Sequence, residues 1–417
     1  LGACSDWKRL VPGLRDNDDK GLEEFRRCFV ETLFGDEVRE ARYWIRVLRE
    51  ALEEVVGLVG ARAVLLPKEL KSFINDPLHH LMKKIFIYSH DLAKGKLSVE
   101  DFERTATAAV RTSIRTNMRS IYESWVLVKI ASLLARRWRA RLLYPENGSL
   151  LLERSGRQRS GGIPPNFVLY LRGLGALSFF LEAPRPVGWG DTRDLAKAWK
   201  LYVALRPDML VYSGYVQDII RLGSDPPIER PDVIIEVKEL PDWFSRSREV
   251  RGPFASAMTA EEWRNRWIRG LWAGLADVLG VESPESAYEH VRRRRGLRLT
   301  EQQIVKLYAR IYKPRFIFLV SRERVPGEVR AELEEAGVEV VDGVGFREEG
   351  LVAVAERLAD IASYRGVQGL PLFVPAEVLS RLERIAADLG VEPERVLEAA
   401  IRVAAENRDA LREALGA

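Results

Sequence analysis

Between Gly21 and Arg137 apolar residues return every three or four positions with charges between them. "GLEEFRRCFVETLF" and "EVREARYWIRVLREALEEVVGLV" therefore predict amphipathic helices. "DPLHHLMKKIFIYSHDLAKGKLSVEDFERTATAAV" continues the pattern, with a break near Gly95. Ser98, with Asp101 three residues on, predicts a fresh helix start of capping-box type with Asp in the usual Glu or Gln place. From Leu142 the period shortens. "RLLYPENGSLLLERSG", "PNFVLYLRG" and "ALSFFLEAP" are short apolar or alternating runs cut by Gly, Pro and Asn, the pattern of strands and hairpin turns. "ALRPDMLVYSG" and "RPDVIIEVKEL" predict two more strands, with "YVQDIIRLGSDPPIE" as a loop or short insertion between them. A polar helical stretch runs from Thr259 to about Tyr312 and includes Trp263, Trp267 and Trp272, most simply core packing. Then come a buried strand, "KPRFIFLVS", a helix ending at Gly337, the strand "VEVVDG" and the helix "EEGLVAVAERLADIAS".

Residues 105–365 thus predict an α/β domain, a central mixed sheet flanked by helices. A helical N-terminal region, 1–104, precedes it. "YRGVQGLP" (Tyr364 to Pro371) marks a boundary, and 370–417 predict a small helical module. There, Val378, Leu379, Leu382, Ile385, Ala386 and Leu389 form one apolar stripe. Gly390 suits the end of that helix, and Pro393 the start of the next.

The 417-residue length is that of two or three domains, and the 47% apolar content is ample for a core. No apolar run approaches the ~20 residues of a membrane span, and no secretory signal is evident. Cys4 and Cys28 form no disulfide framework, so a reducing, cytoplasmic location is the expectation. His79, His80 and His90 lack the i, i+4 spacing of a helical zinc pair. The net charge of +4 says little about partners. Local clusters say more: "RSGRQR" (Arg154 to Arg159), "RSREVRG" (Arg246 to Gly252) and "VRRRRGLR" (Val291 to Arg298) suit phosphates or, equally, a solvated basic surface. Heavy Arg usage with scarce Met and Cys fits a heat-adapted or GC-rich source.

One strand carries charges that its apolar neighbours do not explain. In "RPDVIIEVKEL", Glu236 and Lys238 lie two residues apart and share a face, ~6.6 Å apart along the chain. Asp232 shares that face but sits ~13 Å from Glu236, too far for one ion with Mg–O bonds of ~2.1 Å. Asp208, in "LRPDMLVYSG", has no such restriction, because its strand can lie alongside at ~4.8 Å. Asp208 is therefore the better partner and Asp232 a residue that opens its strand. Asp208 and Glu236 are expected to hold Mg²⁺ or Mn²⁺, with Lys238 holding or helping to deprotonate a water.

These residues resemble the restriction-endonuclease-like superfamily with its Pro-Asp…(Asp/Glu)-x-Lys signature, here Pro207-Asp208 and Glu236-Val237-Lys238. The resemblance spans about Thr105 to Ser363. It implies a core of a helix, three strands, a helix and a strand, and metal-dependent hydrolysis of DNA. It adds Glu123, in the apolar helix "SIYESWVLVKIASLLARR", as a third acid toward the site. "YESWVLVKIASLL" also resembles the opening helix of nuclease subunits that act with a separate NTPase. Gln303 or Lys306 in "TEQQIVKLYARIY" are candidates for a fourth position, each also readable as structural. The gap from Asp208 to Glu236 and the insertion after Lys238 depart from the family pattern. The C-terminal module resembles a ribbon-helix-helix unit, with "PLFVP" as the ribbon, implying a homodimer. That ribbon lacks base-reading residues. The expected function is a metal-dependent DNA endonuclease. The competing expectations are an inactive nucleic-acid-binding or assembly protein and a ribbon-helix-helix regulator.

Overall fold

The structure is a computed structural model that describes residues 4, 6–153, 162–183, 206–221, 224, 226, 228–250, 269–294, 297–364 and 375–415. Two compact units divide the chain, residues 1–368 and 369–417.

The first unit opens with a 3-10 turn, Trp7–Gly13, and a long helix α1, Asp19–Val59. Phe34 interrupts α1 with non-helical backbone, at the junction of the two helical stretches predicted from the sequence. Strand β1 (Ala63–Leu65) and three short helices follow: α2 (Lys68–Asn75), α3 (Pro77–Lys84) and α4 (Phe86–Ala93). Helix α5 (Val99–Trp138) starts where Ser98 accepts the Asp101 amide at 3.1 Å. The strands β2 (Arg141–Tyr144), β3 (Ser149–Leu151), β4 (Phe167–Leu171), β5 (Gly175–Leu181), β6 (Met209–Ser213) and β7 (Val233–Lys238) come next. β8 (Ser247–Val250) precedes α6 (Arg269–Leu279) and α7 (Pro284–Arg294). β9 (Leu297–Thr300) leads into α8 (Glu301–Tyr312), and β10 (Phe316–Ser321), α9 (Gly327–Glu335), β11 (Val338–Val341) and α10 (Val352–Ala362) follow.

The fold is α/β: N-terminal helices, a seven-stranded mixed sheet and C-terminal helices. Sheet order is β11-β10-β7-β6-β5-β4-β2. β11, β10 and β7 run parallel, and each neighbour from β7 to β2 is antiparallel. One sheet face, with Phe179, Val211, Ile235 and Val320, packs on α1, α5 and α10. The other, with Phe180, Tyr212, Ile234 and Leu319, packs on α6, α7, α8 and α9. Full burial of each such side chain favours folding by about 1.5–3 kcal/mol. Gly175 lets β5 run close under the end of α10. Its φ of +145° disfavours any side chain, and a Cβ there would press into the Ala362 carbonyl oxygen.

Two expectations change. Cys4 and Cys28 are joined as a disulfide, with Cα atoms 5.4 Å apart. Spacing along the chain concealed this, because Trp7 wedges between Phe25 and Phe29 and folds the N-terminal segment back along α1. The stretch predicted as helix from Thr259 to Tyr312 contains β9, paired antiparallel with β8. Among the described residues no helix is long and apolar enough to cross a membrane.

The described residues of the second unit form α11 (Ala376–Leu389), α12 (Pro393–Glu406) and α13 (Arg408–Leu415). Gly390 closes α11 with φ 66°, and Pro393 sits in the first turn of α12. The "PLFVP" stretch lies outside the described residues except for Pro375.

Candidate active site

β6 and β7 pair antiparallel with Met209 opposite Ile235, which sets Asp208 and Glu236 side by side at one end of the pair. Each carboxylate accepts a backbone amide of the opposite strand. Glu236 Oε2 takes the Asp208 N–H at 3.1 Å, and Asp208 Oδ2 takes the Val237 N–H at 2.8 Å. Lys238 Nζ donates to Glu236 Oε1 and to Glu301 Oε2, both at 2.8 Å. From α5, Arg119 donates to Glu123 and, at 2.9 Å, to Asp208 Oδ1. The four residues Glu123, Asp208, Glu236 and Lys238 are thus gathered in one constellation. Asp208, Glu236 and Lys238 are each no more than 5% exposed. Beside them is a small cleft of about 40 Å³, lined in part by Ser120, Glu123, Glu182 and Asp208.

The charges alternate along the constellation: Glu123, Arg119, Asp208 with Glu236, Lys238, Glu301. Four carboxylates face two cations. Burial pushes the Glu236 carboxyl up to about 7, with Asp208 adding and Lys238 opposing. Burial pushes Glu123 up to about 8, Arg119 opposing and Asp208 and Glu182 adding. For Lys238, burial favours the neutral amine, but Glu236, Glu301 and Asp208 outweigh it, and its pKa is raised. Lys238 is accordingly a held ammonium, suited to donating hydrogen bonds rather than taking a proton. Its Nζ also lies 5.9 Å from the centre of the Trp243 ring.

The donor chemistry fits a hard divalent cation: carboxylate oxygens, at least two net negative charges if all ionise, and a cleft of water size. Among the described residues no three His, Cys, Asp or Glu side chains are already grouped to hold an ion. The reason is visible. Arg119 lies between Glu123 and Asp208, and Lys238 occupies Glu236.

Other expected residues are elsewhere. Asp232 opens β7, where it accepts the Ser213 N–H at 2.8 Å and pairs with Arg315 at 3.1 Å. Gln303 completes the capping box of α8 with Thr300, and Lys306 pairs with Glu332 at 2.8 Å. Neither reaches the site; Glu301, two residues before Gln303, does. Sequence reasoning missed Glu301, Arg119 and Glu182. Glu301 is the first residue after the Thr300 cap of a Thr-x-x-Gln helix start, which places it in the first turn of a helix. Arg119 is four residues before Glu123, the spacing of a helical ion pair. Glu182 carries no such signal. It holds a left-handed φ of 46° just after β5, where its N–H donates to the Asp208 carbonyl at 2.9 Å. Among the Trp and Arg clusters, Trp272 packs edge-on to Tyr288, Arg246 pairs with Asp242, and Arg293 with Glu289. Trp263, Trp267 and Arg154 to Arg159 lie outside the described residues.

No family model, curated protein or solved structure matches this chain.

Proposed function

We propose that the chain is a divalent-metal-dependent endonuclease with a restriction-endonuclease-like core, acting on DNA phosphodiesters. The observation that carries this reading is the pairing of Asp208 with Glu236 across β6 and β7, with Lys238 on the same strand end. The surrounding order supports it: helix α5, strands β5, β6 and β7, helix α8, then β10 parallel to β7. With β2–β4, β8, α6, α7 and β9 set aside as additions, that order matches the helix, three strands, helix and strand that the resemblance implies. Energetics point the same way. Removing an ion from water costs several kcal/mol, and a buried pair seldom returns more than that. Six charged groups gathered at a strand end inside an otherwise apolar sheet therefore add little to stability, and their presence calls for another reason.

Asp208, Glu236 and Glu123 are the residues that would hold Mg²⁺ or Mn²⁺. Bound there, the ion supplies Lewis-acid activation of the phosphodiester and of a water. The chain's own groups do the rest. The paired strand amides fix the two carboxylates against rotation. Glu301 and Glu236 hold the Lys238 ammonium in place, where it offsets negative charge growing on the phosphate. Burial keeps Glu236 and Glu123 ready to exchange a proton for a cation near neutral pH.

A plasmid-nicking assay tests the reading. Wild-type protein with Mg²⁺ or Mn²⁺ should nick DNA, while Asp208→Asn and Lys238→Ala, still folded by circular dichroism, should lose at least about 100-fold of the rate. Nicking that survives both substitutions, or wild type that binds DNA and never cuts it, would refute the proposal. The second outcome is the behaviour of a non-enzymatic DNA-binding protein. The partial neutralisation of the carboxylates by Arg119 and Lys238 favours that reading, because carboxylates already paired have less need of an ion.

The second unit supports a homodimer. Leu379, Ile385, Leu389, Ile401 and Val403 are each more than 40% exposed, on helices too few to make a core of their own.

A further inference from the structure

Helix α5 does more than present Glu123. Arg111, Arg115 and Arg119 stand at i, i+4 and i+8, so they form one row, repeating every ~6 Å along the helix axis. Arg111 and Arg115 are exposed, and neither makes an ion pair or hydrogen bond among the described residues. Exposed Thr112 and Thr116 lie beside them, and Ser120 continues that side into the cleft at Asp208. Arg119, last in the row, already reaches the Asp208 carboxylate. A second element borders the row. Asp242, in the turn after β7, is held below its ordinary pKa by Arg246, with Arg115 contributing. This places Arg115 on the same side as the end of β7 that carries Lys238.

We propose that the Arg111–Arg115–Arg119 row of α5 is a phosphate track that binds the backbone of a DNA strand and leads it to the Asp208–Glu236–Lys238 site. Charge, geometry and chemistry all favour a linear polyanion. Guanidinium forks at regular intervals, the first two of them unpaired among the described residues, match successive phosphates, and flanking hydroxyls add neutral donors to the same oxygens. Because the row reads only phosphates, its contribution is independent of base sequence. Arg119 has a second partner in this scheme: its 37% exposed side chain meets the last phosphate once the Asp208 carboxylate is otherwise engaged.

The inference rests on the nucleic-acid reading of the site, but its test needs neither metal nor cleavage. Binding of a labelled DNA duplex is followed by fluorescence anisotropy in chelator across a salt series, using the full chain. Arg111→Gln/Arg115→Gln should weaken binding roughly 10- to 100-fold at about 0.1 M salt. It should also flatten the log–log salt slope by about 1.8, the value for two lost phosphate contacts. Arg137→Gln/Arg172→Gln removes the same charge at the C-terminal end of α5, where the Arg172 N–H donates to the Trp138 carbonyl. That control should bind like wild type. Unchanged affinity and slope in the first variant, or an equal loss in the control, overturns the track. Lost binding to anionic vesicles with DNA binding intact would assign the row to a membrane surface and overturn it as well. A chain that binds through the row yet never cuts would defeat the nuclease reading alone. One that cuts and whose first variant binds like wild type would defeat the track alone.

Discussion

At the residue scale the unusual quantities are the raised acids. An ion-paired carboxylate ordinarily has a lowered pKa and stabilises the fold at neutral pH. Glu236 and Glu123 have the opposite sign. Each is raised from 4.5, to about 7 and about 8, because burial outweighs the adjacent cations. The folded state therefore holds more protons than the unfolded state between those values. The stability they contribute is present below 4.5 and lost as pH climbs through about 7 and then 8. A divalent cation should reverse this by replacing the protons. Calorimetry of Mn²⁺ binding in buffers of different ionisation enthalpy should show proton release at about pH 6, fading toward about pH 9. Apparent affinity should rise across that interval and then level. Proton release that is absent, or that is the same in Glu236→Gln, would contradict the assignment. The choice of Asp208 over Asp232 was legible at this scale, since it needs only the rise of a strand. The roles of Arg119 and Glu301 were not. They depend on contacts 89 and 63 residues apart in sequence, made by tertiary packing.

At the element scale, hydrophobic period separated helices from strands well where segments were long. α1 and α5 emerged from their 3.6-residue repeat, and β4 to β7 and β10 from short β-branched and aromatic runs. β8 and β9 did not, because "SREV" and "LRLT" are four residues each and carry charges, and the alternation of "LRLT" is too short to stand out beside the helical stretch that follows it. The helices α11 and α12 show the converse. The stripe of α11 was clear from sequence, yet the structure leaves Val378, Leu379, Ile385 and Leu389 exposed, with Ala386 the buried residue of that helix; α12 buries none of its described residues and exposes Ile401. A second copy of the unit is the partner we propose for those faces. Light scattering of the full chain should report a dimer, and Ile401→Glu should shift it to monomer by burying an unpaired charge in the interface. A wild-type monomer at tens of micromolar would rule the dimer out.

At the scale of the whole molecule, the sheet explains why the site is where it is. β6 and β7 are central strands, covered on both faces by helices, so their ends are held from several directions. α5 packs on one face and supplies Glu123 and Arg119; α8 packs on the other and supplies Glu301. Two helices, one from each layer, thus converge on one strand end. The sequence carried the strand pair and the Glu-x-Lys motif but not that convergence, which exists only once the layers close. The disulfide of Cys4 and Cys28 was hidden for the same reason: the wedge of Trp7 forms only in the folded N-terminal region.

The central claim is that Asp208 and Glu236 share one divalent cation. Crystals grown with Mn²⁺ test it most directly through anomalous scattering. The claim requires one strong anomalous peak in contact with both carboxylates, with the Arg119 guanidinium moved off Asp208 Oδ1. Crystals in saturating Mn²⁺ with no peak there, and Arg119 still bonded to Asp208, would contradict it.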